Sequence, residues 1–514
     1  MWIRVSSRSM KKILVLLLFV ISLFSCSDNS SSDVLKVAIS SEPPMLDVMM
    51  STSLISRLVS VGNIYEKLVV LDGDGKIRCE LAEEYTLSDD MKSIEFKIRD
   101  GVKFHDGSLL DSNDVVQSLN RWIDLYAAAR TFVGDNRFVA TPDGIVRMDS
   151  DSSLALFPYL LASAPQSAVI MPSEVISSVK NGETINNYIG TGPYYLDSWT
   201  SGEKLVLKRF DSYVSCSDEA NGIWGRKDAN IPVLEYYVVS DSTTRRLGLQ
   251  SGQYDFINDL MSDDRDAFSD TSKYQIIQGG ESGSIALVFN KKEGIGTDLN
   301  LRKGISLALD PDSLLRACYG DFGYNVHSDY MEKEQTTWVA SDVNPYQGQD
   351  IALAMKYLNA SNSKGPVRIL TSNLSNLDKI ALAMESDLGK VGLDVEIISV
   401  DWASMIEKRK DSSAWDIYIS AFSRVPIPQL KSYLSPNFPG WINQEEEALG
   451  LMEEMNHALS MDEAALLWKD AQSKLYESVP AIIPGHYITA YAAKSNIKGI
   501  INQDGFFFWN SKME

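Results

Sequence analysis

The sequence predicts an α/β protein built from several lobes, and three observations carry that prediction. Strand patterns and amphipathic helical patterns alternate along almost the whole chain. A strand, helix, strand unit is legible at Val367–Leu370, Leu377–Val391 and Val395–Val400. The chain has 514 residues, 44% of them hydrophobic, which suffices for about three cores at roughly 150 residues per domain.

Taken in order, Leu35–Ile39 alternates apolar and polar residues as a strand does, and Pro43-Pro44 holds the following loop extended. Tyr65–Leu71 is mostly apolar and closes on the turn Asp72-Gly73-Asp74-Gly75. Ile94–Ile98 alternates strictly and predicts a half-buried strand. After the turn Phe104-His105-Asp106-Gly107, Asp111 is placed to cap a helix whose buried face is Val115, Val116, Leu119, Trp122 and Ile123. Gly190-Thr191-Gly192-Pro193-Tyr194 is a stiff connector. Leu205–Leu207 and Glu235–Val239 predict strands, and Leu301–Leu309 a short helix. Asp310-Pro311 opens the next helix, with Asp as N-cap and Pro at its first position. From Gln444 to Leu475 the pattern is helical and acidic, with Glu445, Glu446, Glu447, Glu453 and Glu454 on solvated faces. Tyr487–Ala493 predicts a final strand.

Composition excludes several classes of function. The net charge of −21 is the opposite of the basic footprint that nucleic-acid binding needs. No phosphate-binding loop, nucleophile elbow or HExxH helix occurs. His105 beside Asp106 has no nucleophile near it in sequence, so the pair is read as turn chemistry. The four histidines have no metal-ligand spacing, and no cofactor or metal is expected. Beyond Cys26, three cysteines stand far apart: Cys79, Cys216 and Cys318. Zinc ligation does not fit that spacing, and buried free thiols are the favoured reading.

Residues 1–25 are read as a signal peptide. Arg4, Arg8, Lys11 and Lys12 precede an apolar run from Ile13 to Phe24, interrupted only by Ser22 and too short for a bilayer that needs roughly 20 residues. Leu23-Phe24-Ser25-Cys26 resembles a bacterial lipobox, with Cys26 as the lipidated residue; an ordinary cleaved signal with a chance cysteine is the other reading. Residues 26–32 are polar and form a tether.

With these patterns in place, the chain resembles the family 5 extracellular solute-binding proteins, the oligopeptide-, dipeptide- and nickel-binding components of bacterial ABC importers. The densest match is Leu81-Ala82-Glu83-Glu84-Tyr85-Thr86-Leu87-Ser88-Asp89-Asp90, continuing through Ile94–Ile98 to Arg99-Asp100-Gly101-Val102-Lys103-Phe104-His105-Asp106-Gly107 and Asp114–Ser118. Gly190–Tyr194 and Arg302–Asp310 are further matches, and Leu249–Asp255 and Pro480–Gly499 weaker ones. The resemblance implies a periplasmic-binding-protein-like fold: two α/β lobes joined by a hinge, with a third inserted lobe. By that analogy residues 33–62, 189–285 and 485–514 form lobe I, 63–188 lobe II and 286–484 lobe III. It also implies a non-enzymatic, monomeric receptor that captures a peptide or peptide-like solute, hands it to ABC permease subunits, and is exported and lipid-anchored to a bacterial membrane, on its periplasmic or cell-surface side.

The resemblance further suggests where a ligand would sit. Peptide-binding members carry an acid in lobe III that pairs with the peptide ammonium. The similar stretch here is Trp415-Asp416-Ile417-Tyr418-Ile419-Ser420-Ala421-Phe422-Ser423-Arg424-Val425-Pro426, in which Phe422 falls at the usual aromatic and Val425 at the acid. Arg424 could instead grip a carboxylate or phosphate. Trp402 and Glu42 look like cleft residues, and Phe438 and Trp441 either wall the cleft or pack its loop. The missing acid keeps a non-peptide ligand open: an anionic metabolite, a sugar or a nickel chelate. An exported hydrolase, or a receptor that has lost transport, are the readings from other classes.

Overall fold

The computed structural model describes residues 34–180, 182–346, 348–442 and 446–514. The stretches read as signal peptide and tether, with Cys26, together with Glu445 and the side chain of Glu446, lie outside the described residues. The fold is α/β, with two large mixed sheets and a smaller antiparallel one.

The seven-stranded sheet runs in the order Tyr274–Gln278, Ala490–Lys494, Phe256–Ile257, Val34–Ile39, Val233–Val238, Lys204–Arg209, Tyr194–Thr200. Val34–Ile39 lies near its centre, parallel to both neighbours, and is buried on both faces at its C-terminal end. The six-stranded sheet runs Tyr324–Asn325, Ala481–Tyr487, Gly283–Phe289, Ile417–Ser423, Val367–Ser372, Val395–Val400. Gly283–Phe289 is buried along its whole length. The strand, helix, strand unit is present: Val367–Ser372 and Val395–Val400 pair in parallel, and helix Leu377–Lys390 packs Leu377, Ile380, Met384 and Leu388 beneath them. Ala82–Leu87, Ser93–Ile98, Val146–Asp149 and Val139–Ala140 form the four-stranded antiparallel sheet of the inserted lobe.

Asp111 caps helix Ser112–Leu125 through a complete capping box with Asp114, and Val115, Leu119, Trp122 and Ile123 are buried, with Val116 half-buried. Two expectations need correction. Asp310 precedes helix Pro311–Tyr319 but makes no side-chain cap; its own N–H donates instead to the Asp387 carboxylate at 2.9 Å. The final strand signal resolves into two strands, Ala481–Tyr487 and Ala490–Lys494, in different sheets. Between them the Ile488 N–H turns aside to Gly323 O and the Thr489 N–H to Ser282 Oγ, which ends one ladder before the next begins. Residues 279–282 make the reverse crossing, from Tyr274–Gln278 to Gly283–Phe289. These two short segments lie side by side, joined by Ser282 N–H to Tyr487 O at 2.9 Å, and connect the two large sheets at the place where a hinge between them would lie.

The three cysteines outside the signal region are free; Cys318 is buried as expected, whereas Cys79 and Cys216 are only half-buried. Glu447, Glu453 and Glu454 are exposed. His105 is a structural clamp. Its Nε2 donates to Gly192 O at 3.0 Å, its Nδ1 faces Gly190 N–H at 3.3 Å, and its own N–H donates to Gly190 O. Gly190 and Gly192 are required there, since a Cβ on either would collide with the carbonyls of Ile64 and Asn63.

The inserted lobe is fastened to the seven-stranded lobe by a buried ion network. Lys227 Nζ sits between Glu66 Oε1 at 3.0 Å and Glu80 Oε1 at 2.6 Å. Tyr213 and Thr191 donate to Glu66, and the Lys67 N–H donates to Glu80 Oε2 at 2.8 Å. Burial works against the Lys227 charge, but the two carboxylates outweigh it and hold its pKa above the ordinary value. The first loop is tied down by a second buried pair, Arg121 bidentate to Asp47 at 3.1 and 2.6 Å. Replacing Lys227 by Met strands the buried Glu66 carboxylate and the mostly buried Glu80 carboxylate. We expect a loss of about 3–5 kcal/mol in stability by urea unfolding; a loss below about 1 kcal/mol would show that the network holds nothing.

Candidate functional site

A cavity of about 250 Å³ opens where all three lobes meet. Arg57, Val61, Gln503, Asp504 and Phe507 reach it from the seven-stranded lobe. Lys67, Leu71, Asp72, Tyr159 and Ala162 to Ala164 line the inserted lobe's side. Glu334 to Trp338, Arg424 to Pro426 and Met461 complete the wall.

Three cations face this space. Arg57 stands on helix Leu54–Ser60, whose apolar residues fix it in the core, and donates to the Asp504 backbone carbonyl at 3.0 Å. Burial lowers the Arg57 pKa, with Asp504 acting in the opposite sense. Lys67 is buried; its ammonium is held by the carbonyls of Ala162 at 2.7 Å and Ser163 at 3.3 Å. Burial pushes its pKa down to about 8, against the pull of Glu80. Arg424 is half-buried. Its N–H is anchored on Ser282 O in the hinge, and its guanidinium makes no protein hydrogen bond or ion pair among the described residues.

The acids are mostly engaged. Asp72 is paired with Arg78 at 2.8 Å, Asp74 accepts from Asn221, and Glu334 accepts from the Glu281 N–H. The Asp504 carboxylate is the exception, with no hydrogen bond among the described residues. Val425 lines the wall with an apolar side chain, and its carbonyl is taken by Gln335 Nε2 at 2.8 Å. Trp338 Nε1 holds the next carbonyl, that of Pro426, at 3.0 Å.

Of the residues singled out in the sequence, Arg424 and its neighbour Val425 line this cavity, whereas Glu42, Trp402, Phe422 and Trp441 do not. The Glu42 carboxylate is occupied by Trp199 Nε1 at 2.8 Å, Gly202 N–H at 3.1 Å and Ser201 Oγ at 3.3 Å, fastening the first loop to a hairpin. Phe422 packs against Tyr433 and Phe438. Trp441 stacks on Trp415 beneath Lys292. Trp402 is 41% exposed at the first turn of helix Trp402–Lys408. Sequence reading missed Arg57, Lys67 and Asp504. The first two carried a signal: each is a lone cation inside an apolar run, Leu54–Val61 and Tyr65–Leu71.

Residues 76–444 match the description "Bacterial extracellular solute-binding proteins, family 5 Middle". The chain belongs to this family. Among curated family 5 relatives, it is 22% identical over 492 residues to a "Probable peptide ABC transporter periplasmic-binding protein" of Sinorhizobium fredii, covering 91% of each chain. It is 25% identical over 370 residues to the "Probable D,D-dipeptide-binding periplasmic protein DdpA" of Escherichia coli, covering 70% of this chain and 69% of the other. Among solved structures, a dipeptide-binding protein from a Pseudoalteromonas species in complex with Met-Leu superposes with a TM-score of 0.78 at 19% identity, covering 94% of this chain and all of the other. That likeness shows the fold. The family is one of solute-binding proteins rather than enzymes, and among the described residues no helix is long and apolar enough to cross a membrane.

Lys67 gives a pH signature. Its folded pKa is depressed, so between about pH 8 and the ordinary lysine value the unfolded chain binds more protons than the folded one. On account of this group, stability rises with pH across that window. The stability difference between wild type and Lys67→Met should therefore move in favour of wild type from pH 8 to 10 in urea titrations. A constant difference would place the Lys67 pKa at its ordinary value.

Proposed function

We propose that the chain is the substrate-binding component of an ABC importer, capturing a peptide or peptide-like solute between its lobes and delivering it to a membrane permease. One observation carries this reading. The interlobe cavity offers a carboxylate, Asp504, and three cations, Arg57, Lys67 and Arg424, around a partly apolar space. A zwitterion whose charged ends lie several ångströms apart needs such a set, because a buried unpaired charge is costly. Asp504 takes the ammonium end, in place of the lobe III acid absent at Val425. Lys67 and Arg424 take the carboxylate end. The relatives named for peptides and dipeptides support the solute class.

On this reading the lobes comprise 33–62, 189–285 and 485–514; 63–188; and 286–484. The ion network keeps the first two together, while the third swings on the hinge, so that ligand contacted by both sides favours the closed form. Residues 1–25 direct export, and Cys26 carries the lipid that holds the receptor at the membrane surface, where the permease works.

The test is isothermal titration with short peptides, their N-acetylated and C-amidated forms, and site variants. Asp504→Asn should weaken free-amine peptides on the order of 10- to 100-fold and leave acetylated ones unchanged. Arg424→Ala and Lys67→Met should do the same for free-carboxylate against amidated peptides. Wild-type affinity should fall as pH rises through about 8, where Lys67 loses its charge, and the Lys67→Met variant should lose that dependence. Equal affinity for blocked and free peptides would remove the end-recognition reading.

A further inference from the structure

At the hinge, behind the ligand cavity, lies a buried cluster that solute capture does not use. Glu281 belongs to the crossing segment 279–282, and His486 is the last residue but one of strand Ala481–Tyr487, just before the other crossing. His327, Asp329, Glu332 and Lys431 close around them. Glu281, Glu332 and His486 are essentially without solvent exposure, and Asp329 and Lys431 are buried.

The hydrogen bonds fix the state of His486. Its Nε2 faces the Asp329 carbonyl at 3.0 Å, and a carbonyl only accepts, so Nε2 carries the proton. Its Nδ1 has no hydrogen-bond partner among the described residues. What surrounds it is acidic: Glu332 Oε1 at 3.7 Å and Glu281 Oε2 at 3.8 Å. A neutral ring thus aims a bare lone pair at two carboxylates. A protonated ring aims an N–H at oxygens too distant to accept it. Glu332 Oε2 is also buried without a partner. On the other side His327 Nε2 lies 3.0 Å from both Glu281 oxygens, and its Nδ1 3.2 Å from Asp329 Oδ2.

Charge counting gives the same deficit. Glu281, Asp329 and Glu332 bring three negative charges, and Lys431, 2.7 Å from Glu332, returns one. Two positive charges are missing. Two protonated histidines would supply them, but the two rings stack in parallel at 4.1 Å, which sets like charges face to face. One divalent cation supplies them with both rings neutral.

We propose that Glu281, His327 Nε2 and His486 Nδ1, with Glu332 on the fourth side, hold one divalent transition-metal ion of the zinc type at the hinge. The ligand atoms of the first three lie within 4.8 Å of one another. Tetrahedral zinc with bonds of about 2.0–2.1 Å sets its ligands about 3.3–3.5 Å apart, so Glu281 and Glu332 must each close on His486 by a few tenths of an ångström. Two imidazoles with carboxylates suit zinc or nickel rather than calcium or magnesium. Because the rings are parallel, one of them turns on binding. His327 is the one with room, since its side chain is 20% exposed on a cavity of about 230 Å³ that also gives the ion a way in. Asp329 and the Lys333 N–H supply the outer partners that orient His327, His486 and Glu281. The ion would join both crossing segments.

The test uses the untagged mature chain, stripped with chelator and titrated with Zn²⁺, and with Co²⁺ as a spectroscopic probe. The expected result is one ion per chain after dialysis by elemental analysis, a Co²⁺ ligand-field spectrum of tetrahedral type, and a rise in the thermal midpoint. His486→Gln should weaken binding at least about 100-fold, and His327→Gln likewise, whereas His457→Gln should leave it unchanged. Near-UV circular dichroism and peptide titration confirm that each variant is folded. Retention of less than one ion per several chains, or a folded His486→Gln variant that binds like wild type, would overturn the proposal and leave a network compensated by protons.

Discussion

Lys227 is the constraint on which the arrangement of the cavity depends. It is the single cation shared by Glu66 and Glu80, and its partners come from separate stretches of chain brought together only in the folded state. Glu80 also receives the Lys67 N–H, so the same carboxylate that joins the lobes fixes the backbone from which Lys67 reaches the cavity. A buried network of this kind contributes less to stability than its short distances suggest, because desolvation offsets most of the attraction. What it does is specify geometry: in this approach of the two lobes Lys227, Tyr213, Thr191 and the Lys67 N–H all find partners on Glu66 and Glu80. On the proposed reading the inserted lobe moves with the seven-stranded lobe, and the two crossings at 279–282 and 488–489 carry the hinge motion.

This division explains where charge is placed. Two of the three cavity cations are held by backbone carbonyls rather than by acids: Lys67 by Ala162 and Ser163, Arg57 by Asp504 O. Carbonyls stabilise the cation without neutralising it, so its charge remains available to a ligand. Arg424 is anchored through its own N–H on Ser282, one residue from Glu281 in the same crossing. The ligand wall and the hinge cluster thus share one short segment of backbone. An ion at Glu281 and His486 would stiffen the segment that positions Arg424.

Much of the fold was legible in the sequence because it is written in local terms. The capping box at Asp111 and Asp114, the period of helix Leu377–Lys390 and the flanking strands each need only a few adjacent residues. The connector Gly190–Tyr194 was also legible, although its reason, the close approach to Asn63 and Ile64, is tertiary. The break at Tyr487–Ala490 was not, because its residues are all compatible with a strand and the chain departs only to reach a second sheet. The candidate site was less legible still. Arg424 emerged from a family resemblance, but Arg57, Lys67 and Asp504 come from three distant segments, and Gln503-Asp504-Gly505 reads simply as a turn. The hinge cluster shows the same limit: its histidines lie far apart in sequence and have no ligand spacing, yet the two strands of the crossing bring His486 beside Glu281.

On the proposed reading the cavity captures a solute with an ammonium and a carboxylate end. Native mass spectrometry of the mature chain, purified without denaturation and then denatured to release what it carries, tests this most directly. Release of short peptides of mixed sequence with free termini is expected, as is their loss from an Asp504→Asn, Arg424→Ala double variant. Release of a single non-peptide species, retained by that double variant, would contradict it.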